Sequence, residues 1–179
     1  MTINYSDLVK QRRSIRKYKE QLIKPEDLEQ ILKAGLMAPT SKRSQAWEFI
    51  VVEEKAMLKA LSQSKAQGSA FLANAPIAVV VLAHDTKSDV WIEDASIAAI
   101  MMQLQAEALG LGSCWIQIRN RENAEGESAG QVVKELLRIP DEYQPLCILS
   151  FGYKAEEKAP FDESKLKWEK IHLHYFTQE

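Results

Sequence analysis

Residues 77–83, directly after Pro76, form a run of seven apolar residues, four of them β-branched. β-branched side chains pack well on a pleated surface. A run of this kind without polar alternation is typical of a strand that is buried on both faces. The run therefore predicts a buried central strand, around which the rest of the chain has to fold.

Hydrophobic periodicity predicts both helices and strands on either side of this run. Apolar residues three and four positions apart indicate helices, and short apolar or alternating stretches indicate strands. The predicted helices cover residues 25–36, 55–63, 89–109 and 128–137, and the other predicted strands cover residues 47–52, 113–118 and 146–153. Because helices and strands do not alternate regularly, the sequence predicts the α+β class.

We expect one domain over residues 1–179. A chain of 179 residues with 46% hydrophobic content can bury one sizeable core. The charged stretch from residue 154 to residue 170 predicts a C-terminal arm or loop rather than a second domain.

The helix predicted at residues 89–109 has apolar residues on nearly every face. A helix of this kind lies either in the core of a protein or at an interface between subunits. The sequence alone favours neither alternative.

The charge balance argues against a polyanionic partner. The chain has 23 Lys and Arg against 25 Asp and Glu, so we expect no binding to nucleic acid or to a membrane. Its first residues lack the pattern of a secretory signal, which predicts a cytoplasmic location. Cys114 and Cys147 lie far apart within apolar runs, so we expect two buried thiols rather than a disulfide.

Arginines are concentrated after a short helical pattern near the N-terminus. Arg12, Arg13 and Arg16 surround Ser14 within five residues. A guanidinium offers paired donors that match the oxygens of a phosphate, although a run of charge is commonly a solvated surface. The chain contains no Gly-rich phosphate-binding motif, so a bound phosphate would depend on side chains.

A second polar segment follows the helix predicted at residues 25–36. Pro39 ends the helical pattern, and Thr40 and Ser41 supply hydroxyl groups. Gln45 and Trp47 come shortly afterwards. These residue types suit the edge of a polar ligand.

The two segments together resemble the nitroreductase family of FMN-dependent oxidoreductases. Members of that family carry an R-R-S-x-R-type run and, after the next helix, an A-P-[ST]-x-x-x-x-Q-x-W run, and both occur here in that order. The resemblance implies a central, mostly antiparallel sheet flanked by helices, in an interlocked homodimer. It also implies bound FMN, with NADH or NADPH as the electron donor.

The resemblance further implies a role for each residue of the first motif. Arg12 and Ser14 would meet the FMN phosphate and the ribityl chain. Arg13 would contribute backbone or ring-edge contacts, and Arg16 would reach the pyrimidine edge of the ring. A cation at that edge stabilises the negative charge that reduction places on the flavin.

Residues of the second motif would contact the FMN of the partner subunit. By the same resemblance these residues are Pro39, Thr40, Ser41 and Gln45, with Arg43 as a further candidate. Each site would then contain residues of both protomers, so the homodimer would be required for activity.

Two later segments also resemble the family. In residues 110–117 the resemblance places Cys114, Trp115 and Ile116 against the flavin ring and Gln117 next to its N5 atom. Trp115 could equally be an ordinary core residue. Near the C-terminus, Lys165 is the closest equivalent of the basic residue that returns to the phosphate, followed by Lys167.

The resemblance implies an enzyme that moves hydride from NADH or NADPH through FMN to a small-molecule acceptor such as a nitroaromatic or a quinone, by a ping-pong scheme. Two alternatives stay open: a flavoenzyme of another reaction, such as dehydrogenation or reductive dehalogenation, and a flavin-binding or storage module without turnover. A third is a structural protein in which the arginines are solvated. We predict no metal site, since His172 and His174, which could be drawn as ligands with Glu169, are two apart at a strand-like end and are more typical of surface residues.

Overall fold

The computed structural model describes residues 4–176 of the chain. Five α-helices lie in this range: α1 Tyr5–Gln11, α2 Pro25–Leu36, α3 Lys55–Ser62, α4 Trp91–Ala108 and α5 Ala129–Leu137. Four strands accompany them: β1 Trp47–Val52, β2 Ile77–His84, β3 Leu111–Gln117 and β4 Tyr143–Tyr153. Each predicted helix and strand is present, with bounds that differ from the prediction by three residues or fewer.

The four strands form one antiparallel sheet in the order β1-β2-β4-β3. β2 lies inside the sheet, and all of its residues except His84 are buried. The predictions of a central buried strand and of an α+β fold with an antiparallel sheet are therefore confirmed.

Helices cover both faces of the sheet. Val79 and Val81 of β2 pack in one cluster with residues of α2 and α4. Ala78 and Val80 pack in a second cluster with residues of α3 and α5. Because successive side chains of a strand point to opposite faces, the apolar run of β2 supplies the core on both sides.

β4 begins three residues earlier than the sequence indicates, at Tyr143. Its first residues pair with the end of β2, and the register shifts between Val81 and Leu82, where Pro145 lies opposite Leu82. A proline is tolerated in a strand at such an irregularity. This pairing is non-local, so the sequence pattern of β4 alone did not reveal it.

α4 is a core helix, one of the two alternatives that the sequence left open. Its core side is formed by small and flexible residues, namely Ala95, Ala98, Ala99, Met102 and Ala106. Ile97 and Ile100 face outwards and are 38% and 39% exposed. α4 is therefore a core helix with an apolar strip on its outer side.

Cys114 and Cys147 are both buried free thiols, as predicted. No helix within residues 4–176 is long and apolar enough to cross a bilayer.

Candidate functional site

The arginine motif runs along the outer edge of the sheet. The chain leaves α1 at Arg12 and bonds to β3, where the Ile15 N–H donates to the Ser113 carbonyl at 2.9 Å and Ser14 forms a parallel bridge with Ser113. Ile15 is buried. Arg12 and Ser14 are half-buried, and Arg16 is exposed.

Groups of this motif act on the thiol of Cys114 in β3. Burial raises the pKa of the Cys114 thiol, and four neighbouring groups act in the opposite direction. These groups are the Arg16 guanidinium, the Ser14 hydroxyl, the Lys158 ammonium and the Arg12 guanidinium. We call Arg12, Ser14, Arg16, Cys114 and Lys158 the Cys114 cluster. It brings three cations to the middle of an outer strand.

Lys158 belongs to the cluster although the sequence did not single it out. Its Nζ donates to the Ser14 carbonyl at 2.6 Å and lies 3.7 Å from Oε1 of Glu156. Lys165, the residue that the resemblance favoured, has its Nζ 3.5 Å from Asp162, and its side chain is 76% exposed. No signal in the sequence distinguishes Lys158 from the other lysines of this charged segment.

Residues 156–159 hold the arginine motif from outside. Oε1 of Glu156 accepts the backbone N–H groups of Arg16 at 2.6 Å and Lys17 at 3.2 Å, and the Arg16 N–H is the main cause that lowers the pKa of Glu156. On the other side of the motif, Nη1 of Arg13 donates to the Ala159 carbonyl. The Glu156 carboxylate beside the cluster is therefore already occupied by backbone donors.

Two glycines allow the N-terminal segment to lie close to the sheet. A Cβ at Gly112 would stand 2.8 Å from Cβ and Cγ2 of Ile15, and a Cβ at Gly152 would stand 2.8 Å from Cδ1 of Tyr18. Such distances are too short for non-bonded carbons. The position of the arginine motif therefore depends on these glycines.

β3 offers backbone groups at its outer edge. Within the described residues it pairs with β4 alone, apart from the single bridge at Ser113. The Ser113 carbonyl points to that edge, since it accepts from Ile15. The backbone groups of Trp115 and Gln117 point the same way, because the direction alternates along a strand.

The alternation also divides the four residues that were predicted to lie at a flavin ring. Ile116 packs in the cluster with α3 and α5, and Cys114 shares its face. Trp115 packs on the α4 side, where its Nε1 donates to Oε1 of Gln117 at 2.9 Å. A planar ligand at the edge would thus meet the backbone of this strand more readily than all four side chains.

Residues 63–74, which the sequence could not assign, lie beside the same site. The Arg16 guanidinium is 5.9 Å from the centre of the Phe71 ring. A cavity of about 570 Å³ is lined by Gln63, Lys65 and Asn123, among others. Burial, and then the charge of Arg121, lower the pKa of Lys65. Cys114 acts on Lys65 in the opposite direction, which relates this segment to the cluster.

The second motif forms a tight loop that Asp94 of α4 holds. Ser41–Arg43 make a single 3-10 turn, and Oδ1 of Asp94 accepts the Ser41 N–H at 3.0 Å. Oδ2 accepts the Ser44 hydroxyl at 3.2 Å, and the Thr40 hydroxyl oxygen accepts the Gln45 N–H at 3.1 Å. Asp94 was not found from the sequence, where it is one acidic residue among several at the start of a helix.

The two motifs lie at opposite corners of the sheet. Ser113, beside the first motif, pairs with Phe151 of β4, which pairs with Ile77 at the start of β2. Trp47, just after the loop, pairs with Ala83 near the end of β2. The separation is about 20 Å along the strands and about 14 Å across three strand spacings. One chain therefore does not bring its two motifs to the same part of a ligand.

Comparison with known proteins covers most of the chain. The model of the nitroreductase family matches residues 9–153. A relative from Archaeoglobus fulgidus, provisionally named an NADH dehydrogenase/NAD(P)H nitroreductase, is 37% identical over 166 residues, which cover 90% of this chain and 92% of the relative. A Bacillus subtilis protein named FMN reductase (NADPH) is 29% identical over 173 residues, which cover 85% of this chain and 66% of that protein.

The fold has a counterpart among solved structures. An FMN-dependent nitroreductase from Clostridium difficile R20291 superposes with a TM-score of 0.92 at 50% sequence identity, over 94% of this chain and 98% of that one. Sequence and fold therefore point to the same family.

Proposed function

This chain belongs to the nitroreductase family, and we propose that it carries electrons through FMN from NADH or NADPH to a small acceptor such as a nitroaromatic or a quinone. FMN as the cofactor and NAD(P)H as the donor follow from the family and from the relatives described above. The acceptor and the ping-pong order are our proposal. The observation that carries it is the Cys114 cluster beside the outer edge of β3.

The charge of the cluster fits the phosphate of FMN. Three cations face one carboxylate, Glu156, whose Oε1 already accepts two backbone N–H groups. The excess of positive charge favours a phosphate, and guanidinium groups bind phosphate oxygens in pairs. We propose that Arg12, Ser14 and Lys158 hold the phosphate and the ribityl chain, with Arg13 beside them. Lys165 stays a prediction for the same role.

The outer edge of β3 fits a flat heteroaromatic ring. The backbone N–H of Gln117 points to that edge and can donate to the flavin N5 atom. Arg16 lies at the same end of the strand, where its charge would stabilise a reduced, anionic ring. Bound FMN supplies the acceptance and release of hydride, and the chain supplies position and charge.

The distance between the two motifs supports a shared site in a homodimer. Since one chain holds them at opposite corners of the sheet, Pro39, Thr40, Ser41 and Gln45 can complete a flavin site only in a second copy. Apolar residues at the protein surface also support a dimer. Large apolar residues are exposed, among them Leu36, Met37, Ile97, Ile100, Trp168, Ile171, Leu173, Tyr175 and Phe176.

The test is the visible spectrum of the purified protein before and after anaerobic addition of NADH or NADPH, with the released cofactor identified by mass. We expect an oxidised-flavin band that is lost within seconds and returns when a nitroaromatic or a quinone is added. A yellow protein that neither donor reduces would support the storage module instead. A colourless protein that takes up no FMN would contradict the proposal.

A further inference from the structure

We propose that Asp94 is a positioning residue that shapes the loop of residues 39–45 for the flavin site of the partner subunit. This inference rests on the shared FMN site proposed above. It extends that proposal to a side chain that need not touch the flavin.

The Asp94 carboxylate is buried and fully engaged. It is 4% exposed and accepts from the Ser41 N–H at 3.0 Å, from the Ser44 hydroxyl at 3.2 Å and from the Ser88 hydroxyl at 3.2 Å. It also lies in the first turn of α4, where the positive end of the helix dipole favours an anion. A buried charge persists only with such partners, so the three donors and the carboxylate keep one another in place.

The loop has a backbone that needs this support. Lys42, Arg43 and Gln45 have φ angles of 52°, 55° and 43°. Residues other than glycine rarely adopt such angles, and they keep them only when the surroundings enforce them. Asp94 binds the middle of the loop at Ser41 and Ser44. Without it, the loop would be held by the Gln45 to Thr40 bond, by the two backbone bonds of its own turn and at its buried ends, Ala38 and Ala46.

The geometry predicts which of the two flavin sites of the dimer loses affinity. The loop lies far from the Cys114 cluster of its own chain, so loss of Asp94 should damage the site formed with the partner's cluster. A defect in Arg12 should damage the site of its own chain. If one protomer carries both substitutions, they therefore affect different flavin sites. If each protomer carries one substitution, both affect the same site.

Mixed dimers test this relationship directly. One protomer carries Arg12→Ala, the other carries Asp94→Asn, and two different affinity tags select the mixed species. One site then has both defects, and the other site has neither. We expect each mutant homodimer to bind FMN about tenfold more weakly or worse, as for loss of a charge-assisted hydrogen bond. We expect the mixed dimer to hold one FMN per dimer with wild-type affinity.

Two controls make the outcome decisive. Glu93→Gln removes the same charge from the same helical turn but from an exposed position, and it should leave FMN binding unchanged. Ser44→Ala removes one Asp94 contact from the loop. If Asp94→Asn does not fold, Ser44→Ala takes its place in the mixed dimer. A mixed dimer without a wild-type site, or an Asp94→Asn homodimer equal to Glu93→Gln, would overturn the inference. A wild-type protein without FMN would instead contradict the proposed function.

Discussion

The Lys158 ammonium lies 2.6 Å from the backbone oxygen of Ser14. This bond joins two segments that are 144 residues apart and places a cation from the C-terminal part of the chain in the Cys114 cluster. The proposed phosphate site is therefore built from both ends of the described chain.

Replacement of Lys158 should weaken FMN binding more than replacement of Lys165. We expect Lys158→Gln to raise the FMN Kd about tenfold, since it removes one charge from a phosphate contact, and Lys165→Gln to change it by less than about twofold, because an exposed ion pair contributes little. Fluorescence titration of the apoprotein measures both constants. A larger loss for Lys165→Gln would favour the assignment from the resemblance.

Arg16 should affect the reduction of the flavin more than its binding. A guanidinium at the pyrimidine edge stabilises the reduced, negatively charged ring, so Arg16→Ala should lower the midpoint potential and slow reduction by NAD(P)H. We expect its effect on the FMN Kd to be smaller than its effect on the reduction rate. Potentiometry and stopped-flow reduction provide the two readouts, and equal losses in both would argue against a tuning role.

Gly112→Ala should displace the arginine motif. The new Cβ would stand 2.8 Å from Cβ and Cγ2 of Ile15, and overpacking of this kind costs about 1–3 kcal/mol. We therefore expect a lower melting temperature together with weaker FMN binding.

Gly130→Ala is the matched control for that variant. Gly130 lies within α5, where its new Cβ would have its nearest neighbour, the Ser128 Oγ, at 3.6 Å. Alanine should there stabilise the helix by about 0.5–1 kcal/mol and leave FMN binding unchanged. Thermal unfolding and the FMN Kd of both variants test the pair. Equal behaviour would show that the close approach of Gly112 to Ile15 has no role.

The sequence predicted what depends on local patterns. The apolar run of β2 and the periodicity of α2 and α4 determine whether each segment can be a helix or a strand, because the period of burial differs between the two. Arg12, Ser14 and Arg16 were also named from the sequence, since guanidinium groups and a hydroxyl within five residues suit a phosphate.

The residues that sequence analysis missed depend on contacts between distant segments. Asp94 lies 53 residues from Ser41, and Lys158 lies 144 residues from Ser14. Neither has a local signal, since each is one charged residue among several in its segment. The position of Pro145 in β4 is a similar case, because only the register with β2 shows the irregularity that accepts a proline.

Tyr18 should make the stability of the protein decrease at alkaline pH. Its hydroxyl donates to the Ile15 carbonyl at 2.6 Å and lies 2.7 Å from the Ser150 Oγ, and burial raises the pKa of Tyr18 well above its ordinary value. A raised pKa means that the folded state retains the proton longer than the unfolded state. The stability that results is complete below about pH 10, the unfolded pKa, and is lost as the pH rises towards the folded pKa.

Tyr18→Phe separates this effect from other alkaline titrations. At neutral pH the variant should lose about 1 kcal/mol, since the Ile15 carbonyl loses its donor. Above pH 10 the wild-type free energy of unfolding should fall by up to about 1.4 kcal/mol per pH unit more than that of the variant. Cys147, whose pKa burial also raises, titrates in both proteins and cancels in the difference, whereas the charge of Cys114 is part of the Tyr18 effect, since it also raises the pKa of Tyr18. Denaturant unfolding between pH 8 and about pH 11 gives the two curves, and parallel curves would show that the buried Tyr18 hydroxyl does not control alkaline stability.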